Sequence, residues 1–193
     1  MYRAVAWKAG HDGIALSDAT AVAALAERAT FDLDGHVVID GHDVTQAIRT
    51  PEIDAAAAVV ARHPHVREVL VRRQRMYAQR GGVVMEGRDI GTVVFPDADV
   101  KLYLDASADE RARRRAADPA HAASRHDGGD VASVAQALEA RDHSDRTRDA
   151  SPLAMAADAI YVDTTGVEIA DVVGKVLAIV EARSGGQVPG SRS

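Results

Sequence analysis

Three short runs in the second half of the chain, Gly82-Val83-Val84-Met85, Val100-Lys101-Leu102-Tyr103-Leu104 and Ala159-Ile160-Tyr161-Val162, are dense in β-branched and large apolar side chains. Such runs predict buried parallel strands. Helical patterns over 107–117, 131–141 and 167–183 lie between and after them. Strand and helix in alternation predict an α/β fold with a layered parallel sheet. The 193 residues, 47% hydrophobic and 27% charged, suit one compact domain with enough apolar side chain for a core. There is no cysteine, so disulfides, zinc ribbons and thiol catalysis are excluded and the fold must stand on packing alone.

The first half reads differently. Residues 19–29 have helical spacing behind the N-cap candidate Ser17-Asp18, with Val22, Leu25 and Ala26 on one side. A small β-hairpin is expected over about 29–45, where Asp34-Gly35 supplies a turn dipeptide that tolerates positive φ. Two helices come next, 51–62 with Pro51 in its first turn and 66–80 with a Val66, Val69, Leu70 stripe, and Pro64 separates them. Residues 119–130 read as a mobile connection, and 184–193, with Gly185-Gly186 and Pro189-Gly190, as a disordered tail. No apolar run approaches the roughly 18 to 20 residues of a bilayer span, and the first residues lack a signal peptide's pattern. A soluble, cytoplasmic protein is the expectation.

The 23 basic residues are three lysines, Lys8, Lys101 and Lys175, and twenty arginines, against 29 acidic ones, for a net charge of −6. An acidic balance speaks against a nonspecific nucleic-acid coat. Arginine is the planar, bidentate binder of phosphate and carboxylate, although a GC-rich coding bias accounts for its abundance equally well. Three places concentrate it. Glu86-Gly87-Arg88-Asp89-Ile90-Gly91-Thr92 comes after an expected strand, where open α/β sheets bind ligands, and is either a ligand loop or a surface turn with a local ion pair. Arg111, Arg114 and Arg115 fall on one helical face, as an anion site or a solvated face paired with Asp109 and Glu110. Arg141, Asp145 and Arg148, spaced i, i+4, i+7, form either a phosphate and ribose clamp or an ion-pair ladder. Neither an HExxH nor a GxSxG pattern is present, which leaves zinc-protease and hydrolase readings without support.

On these residues the chain resembles the bacterial cytidylate kinases. Tyr2-Arg3, the stretch from Asp43 to Thr50, that from Val66 to Arg75, the run from Glu86 to Ala98 containing Gly87-Arg88-Asp89, Arg141-Asp142 with Asp145, and Ser151-Pro152-Leu153 carry the resemblance, in the family's order as far as about Ala182. It implies a P-loop NTPase-like nucleoside monophosphate kinase core, with a parallel sheet and helices on both faces. Within a single domain over 1–183, a nucleotide-binding insertion is implied at about 29–62 and a lid at about 111–148. The implied reaction is transfer of the ATP γ-phosphate, with Mg²⁺ carried on the nucleotide phosphates, to CMP or dCMP. Arg3, Arg67, Arg88 and Arg148 are implied to hold the CMP phosphate or base, Asp89 to read cytosine, and Arg141 and Asp145 to take the ribose. Arg111, Arg114 and Arg115 fall where the family's lid reaches the ATP phosphates, and Arg88, Arg114 and Arg148 are the implied catalytic arginines. The protein itself supplies no metal site in this reading, and a monomer without nucleic-acid or membrane partners is expected.

Two departures qualify the resemblance. Ala58 aligns with a base-contacting serine of the family, so one hydrogen bond to cytosine is expected to be absent. None of the three lysines stands in a G-x-x-x-x-G-K-[ST] run, the phosphate loop the family carries on its first strand and helix. The expectation is therefore a truncated copy lacking first strand and P-loop, with negligible turnover alone. The alternative is a pseudokinase that binds nucleotide as a regulatory module.

Overall fold

The computed structural model describes residues 1–79, 81–118, 131–147 and 151–183. The connection expected over 119–130, the tail 184–193 and Arg148 lie outside the described residues. No helix among the described residues is long and apolar enough to cross a membrane.

The chain opens with a helix that its sequence pattern did not predict, α1 (Tyr2–His11), which buries Ala4, Val5, Ala6 and Ala9. These side chains are small, so α1 lies close against α3 (Pro51–Val60), where Ala57 and Val60 are buried. The helix α2 (Ala19–Arg28) starts where a cap was expected: the Asp18 carboxylate accepts from the Ala21 amide at 2.9 Å. It packs Val22, Leu25 and Ala26 toward α4 (Pro64–Ala78), which contributes Val66, Val69 and Leu70. Pro51 and Pro64 each begin a helix, at positions whose amide has no helical partner to lose.

The expected hairpin is a three-stranded antiparallel sheet: β1 (Phe31–Asp32), β2 (Val38–Ile39) and β3 (His42–Asp43), in that order. The tight turn is Asp40-Gly41, with φ of 47° and 79°, the doubly left-handed pair that a two-residue hairpin loop requires. Ile39, Val44 and Ile48 join the helical core, so the insertion and the first four helices share one apolar interior.

The second half holds the parallel pair β4 (Leu102–Asp105) and β5 (Ile160–Asp163), with α5 (Ala108–Ala117), α6 (Val131–Thr147) and α7 (Ile169–Arg183). The parallel sheet is as expected, and α6 runs further than the pattern over 131–141 indicated. The expected strand over 82–85 is corrected: the segment has no regular secondary structure and pairs with no strand among the described residues, and Val84 is fully exposed. The expected burial of the other strands is also corrected in part, since Leu104 and Tyr161 are more than half exposed while Val162 is buried. A strand run is apolar because a complete sheet buries both faces, yet pairing needs a neighbouring backbone to take its amides and carbonyls. The open surface continues onto α7, where Ile169, Val173 and Leu177 are exposed.

This uneven burial predicts uneven mutational cost. Leu25→Ala, at a fully buried position, is expected to lower unfolding free energy by about 3 kcal/mol, and Leu177→Ala by under about 0.5 kcal/mol, as read from urea unfolding midpoints. Equal losses would show that the α7 face is covered in solution.

Candidate functional site

The charged loop before β4 is positioned by a buried ion pair. Arg67, on the inner face of α4, is 4% exposed and donates through Nη2 to Asp89 Oδ2, with Asp89 itself buried. The same guanidinium lies 5.4 Å from the Tyr2 ring centroid and reaches the Ala61 carbonyl at 3.3 Å. After Asp89 the chain makes one wide helical turn, Ile90–Val94, bonded i to i+5 through Val94 N to Asp89 O and Phe95 N to Ile90 O. Arg75, two turns after Arg67 on α4, holds the far end of that turn by donating to the Val94 and Val93 carbonyls at 2.9 and 2.7 Å. A side chain at Gly87 would force Ile90 to move, because its Cβ would stand 2.8 Å from Ile90 Cγ1.

With Asp89 turned inward, Arg88 points the other way, toward α6. Its Nη1 donates to Asp142 Oδ1 at 3.1 Å, and its Nε lies 3.3 Å from Asp145 Oδ2. Arg111 of α5 takes the other oxygen of Asp142, so one buried carboxylate joins the loop and two helices. The segment after α6 is tied to the same place, since the Leu153 amide donates to the Asp145 carbonyl at 2.7 Å. Arg141, one turn before Asp145, does not extend this group. It faces Asp54 at 3.8 Å, beside Arg3 at 2.7 Å and Arg115, which pairs with the same carboxylate. Burial foremost holds the Arg3, Arg115 and Arg141 guanidinium groups below their ordinary range. Neighbouring guanidinium groups add to it: Arg49 acts on Arg3, Arg3 and Arg141 on Arg115, and Arg88 and Arg3 on Arg141.

The three arginines of α5 share a helix but not a target. Arg111 meets Asp142 and Arg115 meets Asp54, whereas Arg114 turns toward the end of β5. Its Nε donates to Glu110 at 2.6 Å and its terminal nitrogens to the Thr164 hydroxyl and carbonyl at 3.0 and 2.5 Å. The structure thus brings Arg3, Arg88, Arg111, Arg115, Arg141 and Asp145 together, with Arg67 and Asp89 beneath them, and leaves Arg114 to one side. Sequence reasoning missed Asp54 and gave Asp142 no role. Asp54 is the last charged residue of a helix that continues as alanine and valine, which marks it as distinct but names no partner.

These side chains suit phosphate oxygens. Guanidinium forks from four segments converge here, and Asp54, Asp142 and Asp145 among them are each engaged by arginine, a donor set that fits an anion and not a bare cation.

A family profile described as "Cytidylate kinase" matches residues 1–182. A cytidylate kinase of Desulfitobacterium hafniense is 46% identical over 183 residues, 93% of this chain and 78% of that protein. Those of Bacillus velezensis and Limosilactobacillus fermentum are 42% and 46% identical, over 95% and 94% of this chain and 83% and 81% of their own lengths. With a match that runs from the first residue across the whole arginine cleft, the chain belongs to the cytidylate kinase family.

Proposed function

We propose that the cleft takes the phosphate of CMP or dCMP as acceptor for the γ-phosphoryl group of ATP, giving CDP or dCDP. The observation that supports this most directly is the convergence of Arg3, Arg88, Arg111, Arg115 and Arg141 around Asp54, Asp142 and Asp145. Phosphoryl transfer asks a protein mainly to position two nucleotides and neutralise charge, which guanidinium groups on separate elements do as the elements close. Mg²⁺ arrives on the ATP phosphates in this reading and neutralises part of their charge. The relatives are named as kinases, and the pseudokinase alternative finds no support among them.

Each residue has a task. Arg88, half-exposed between loop and α6, binds the acceptor phosphate with Arg3, and the same role falls to Arg148 by the family resemblance. Arg67 occupies Oδ2 of Asp89 and leaves Oδ1 to accept from the amino group of cytosine. Arg141 and Asp145, one turn apart on α6, take the sugar. Arg111, Arg114 and Arg115 exchange their present partners for ATP phosphates when the lid, about 111–148, closes and excludes water. Arg3, Arg67, Arg88 and Asp89 serve the acceptor half of the reaction, and the arginines of α5 serve the donor half. The reading further takes the working unit to be a cytoplasmic monomer.

Calorimetric titration with CMP tests the acceptor site directly. Arg88→Ala is expected to weaken CMP binding by about 100-fold, the scale of losing a charge-assisted, bidentate contact. Arg113→Ala, which removes a partner of Glu110 outside the cleft, should leave it within about twofold. A chain that binds CMP no better than AMP would sink the proposal.

Ala58 lies one turn beyond Asp54 on α3, on the same face. Ala58→Ser is expected to restore a hydrogen bond to cytosine and raise the preference for CMP over UMP by about 5- to 10-fold. Competition titrations with the two nucleotides read that ratio.

A further inference from the structure

Asp54 gathers arginines from three separate elements: Arg3 of α1 on one oxygen, Arg115 of α5 on the other, and Arg141 of α6 at 3.8 Å. The carboxylate is buried, while each of these guanidinium groups keeps roughly a quarter to a third of its side chain exposed. Arg3 also donates to the Ile48 carbonyl at 3.2 Å, so the insertion grips it twice. The wider field around the group is mixed, with Arg49 and Glu86 acting on Arg3, Asp118 on Arg115, and Arg88, Asp142 and Asp145 on Arg141. Three guanidinium groups drawn from chain segments this far apart repel one another unless an anion lies between them. In the absence of substrate, the anion is Asp54.

We propose that Asp54 is a positioning residue that stands in for the phosphates of the bound nucleotides. It holds Arg3, Arg115 and Arg141 together while the site is empty, and it yields them when phosphate enters, Arg3 to the acceptor phosphate and Arg115 to those of ATP, with Arg141 freed for the sugar. A phosphate carries more charge and more acceptor oxygens than one carboxylate, so it takes the arginines over. A lone inorganic anion gains less from the exchange than a nucleotide, which adds base and sugar contacts. Asp54 therefore acts as a threshold that disfavours free phosphate. By sitting on α3 it also ties the insertion to α5 and α6 before substrate arrives. The identity of the natural anion rests on the acceptor reading above, but the threshold itself does not, because it concerns any phosphate.

The test uses inorganic phosphate as the probe on the 193-residue chain. Asp54→Asn keeps the shape and removes the charge. Calorimetry is expected to show the variant binding phosphate about tenfold tighter than the parent, the effect of removing one carboxylate that competes for the same cations. Asp54→Glu, which restores the charge, should bring affinity back to within about threefold of the parent. Phosphate should also raise the thermal midpoint of Asp54→Asn more than that of the parent. Unchanged or weaker phosphate binding by a folded Asp54→Asn chain overturns the proposal and makes Asp54 a structural ion pair. A second measurement needs no variant: the Asp54 carboxyl carbon resonance of the parent chain is expected to shift with the same midpoint as phosphate binding. A resonance that stays fixed through saturation overturns the proposal as well. Failure of CMP to bind while phosphate shows this exchange would count against the acceptor reading and leave the threshold standing.

Discussion

Everything at the cleft is referred to the ion pair between Arg67 and Asp89. Both groups are taken out of water, and such a pair contributes little net stability because desolvation offsets the attraction. Its effect is directional. A carboxylate fixed at the inner side of the loop forces the neighbouring Arg88 outward to α6, where Asp142 and Asp145 receive it. The pair thus converts the packing of a stable helix, α4, into the orientation of a loop with no regular structure before its wide turn. Arg75 repeats the device at the other end of that turn, so two arginines on one helix hold both ends.

Above that pair, the cleft is built from like charges that tolerate one another only through shared carboxylates. Asp142 joins Arg88 and Arg111, and Asp54 joins Arg3, Arg115 and Arg141. Each carboxylate accepts from residues on different elements, so the arrangement costs little conformational freedom only while all the elements are in place. The apolar interior lies elsewhere, among α1 to α4 and the small sheet, and the second half relies more on polar contacts such as Arg114 with Thr164 and Lys101 with Asp158. The arginine group bridges the two parts, with Arg3, Asp54 and Arg67 standing on the packed helices α1, α3 and α4 and Arg111, Arg115 and Arg141 on the more polar second half.

What the sequence revealed depends on the range of the force involved. Caps and prolines act within one turn, and Asp18 and Pro51 mark helix starts as read, while Pro64, read as a separator ahead of a helix from Val66, itself begins α4. Asp40-Gly41 is equally local, and the third strand it creates was missed because Asp34-Gly35 offers a competing turn signal a few residues earlier. The helix α1 escaped because its buried residues are mostly alanine, a weak hydrophobic signal that close packing against α3 makes decisive. The run at 82–85 illustrates the opposite limit: its composition says buried strand, but pairing depends on a neighbour that no local pattern specifies. At the site, resemblance supplied Arg88, Asp89, Arg141 and Asp145; of these Arg88 meets Asp145, while Asp89 turns to Arg67 and Arg141 faces Asp54. Asp54 could not be ranked from spacing alone, since its partners lie 51, 61 and 87 positions away.

The wide turn at Ile90–Val94 has a further consequence for how this cleft tolerates insertions and deletions. An i to i+5 turn accommodates one more residue than an α-turn over the same span, and each helical residue rotates the downstream chain by about 100°. The extra residue therefore sets the phase between Asp89, which faces inward, and Lys101, which enters β4 with its stem against Gly91. Losing a single residue there would leave every charged group in the sequence and aim the chain after the loop in another direction. In this protein the length of one turn carries as much information about the site as the identity of its arginines.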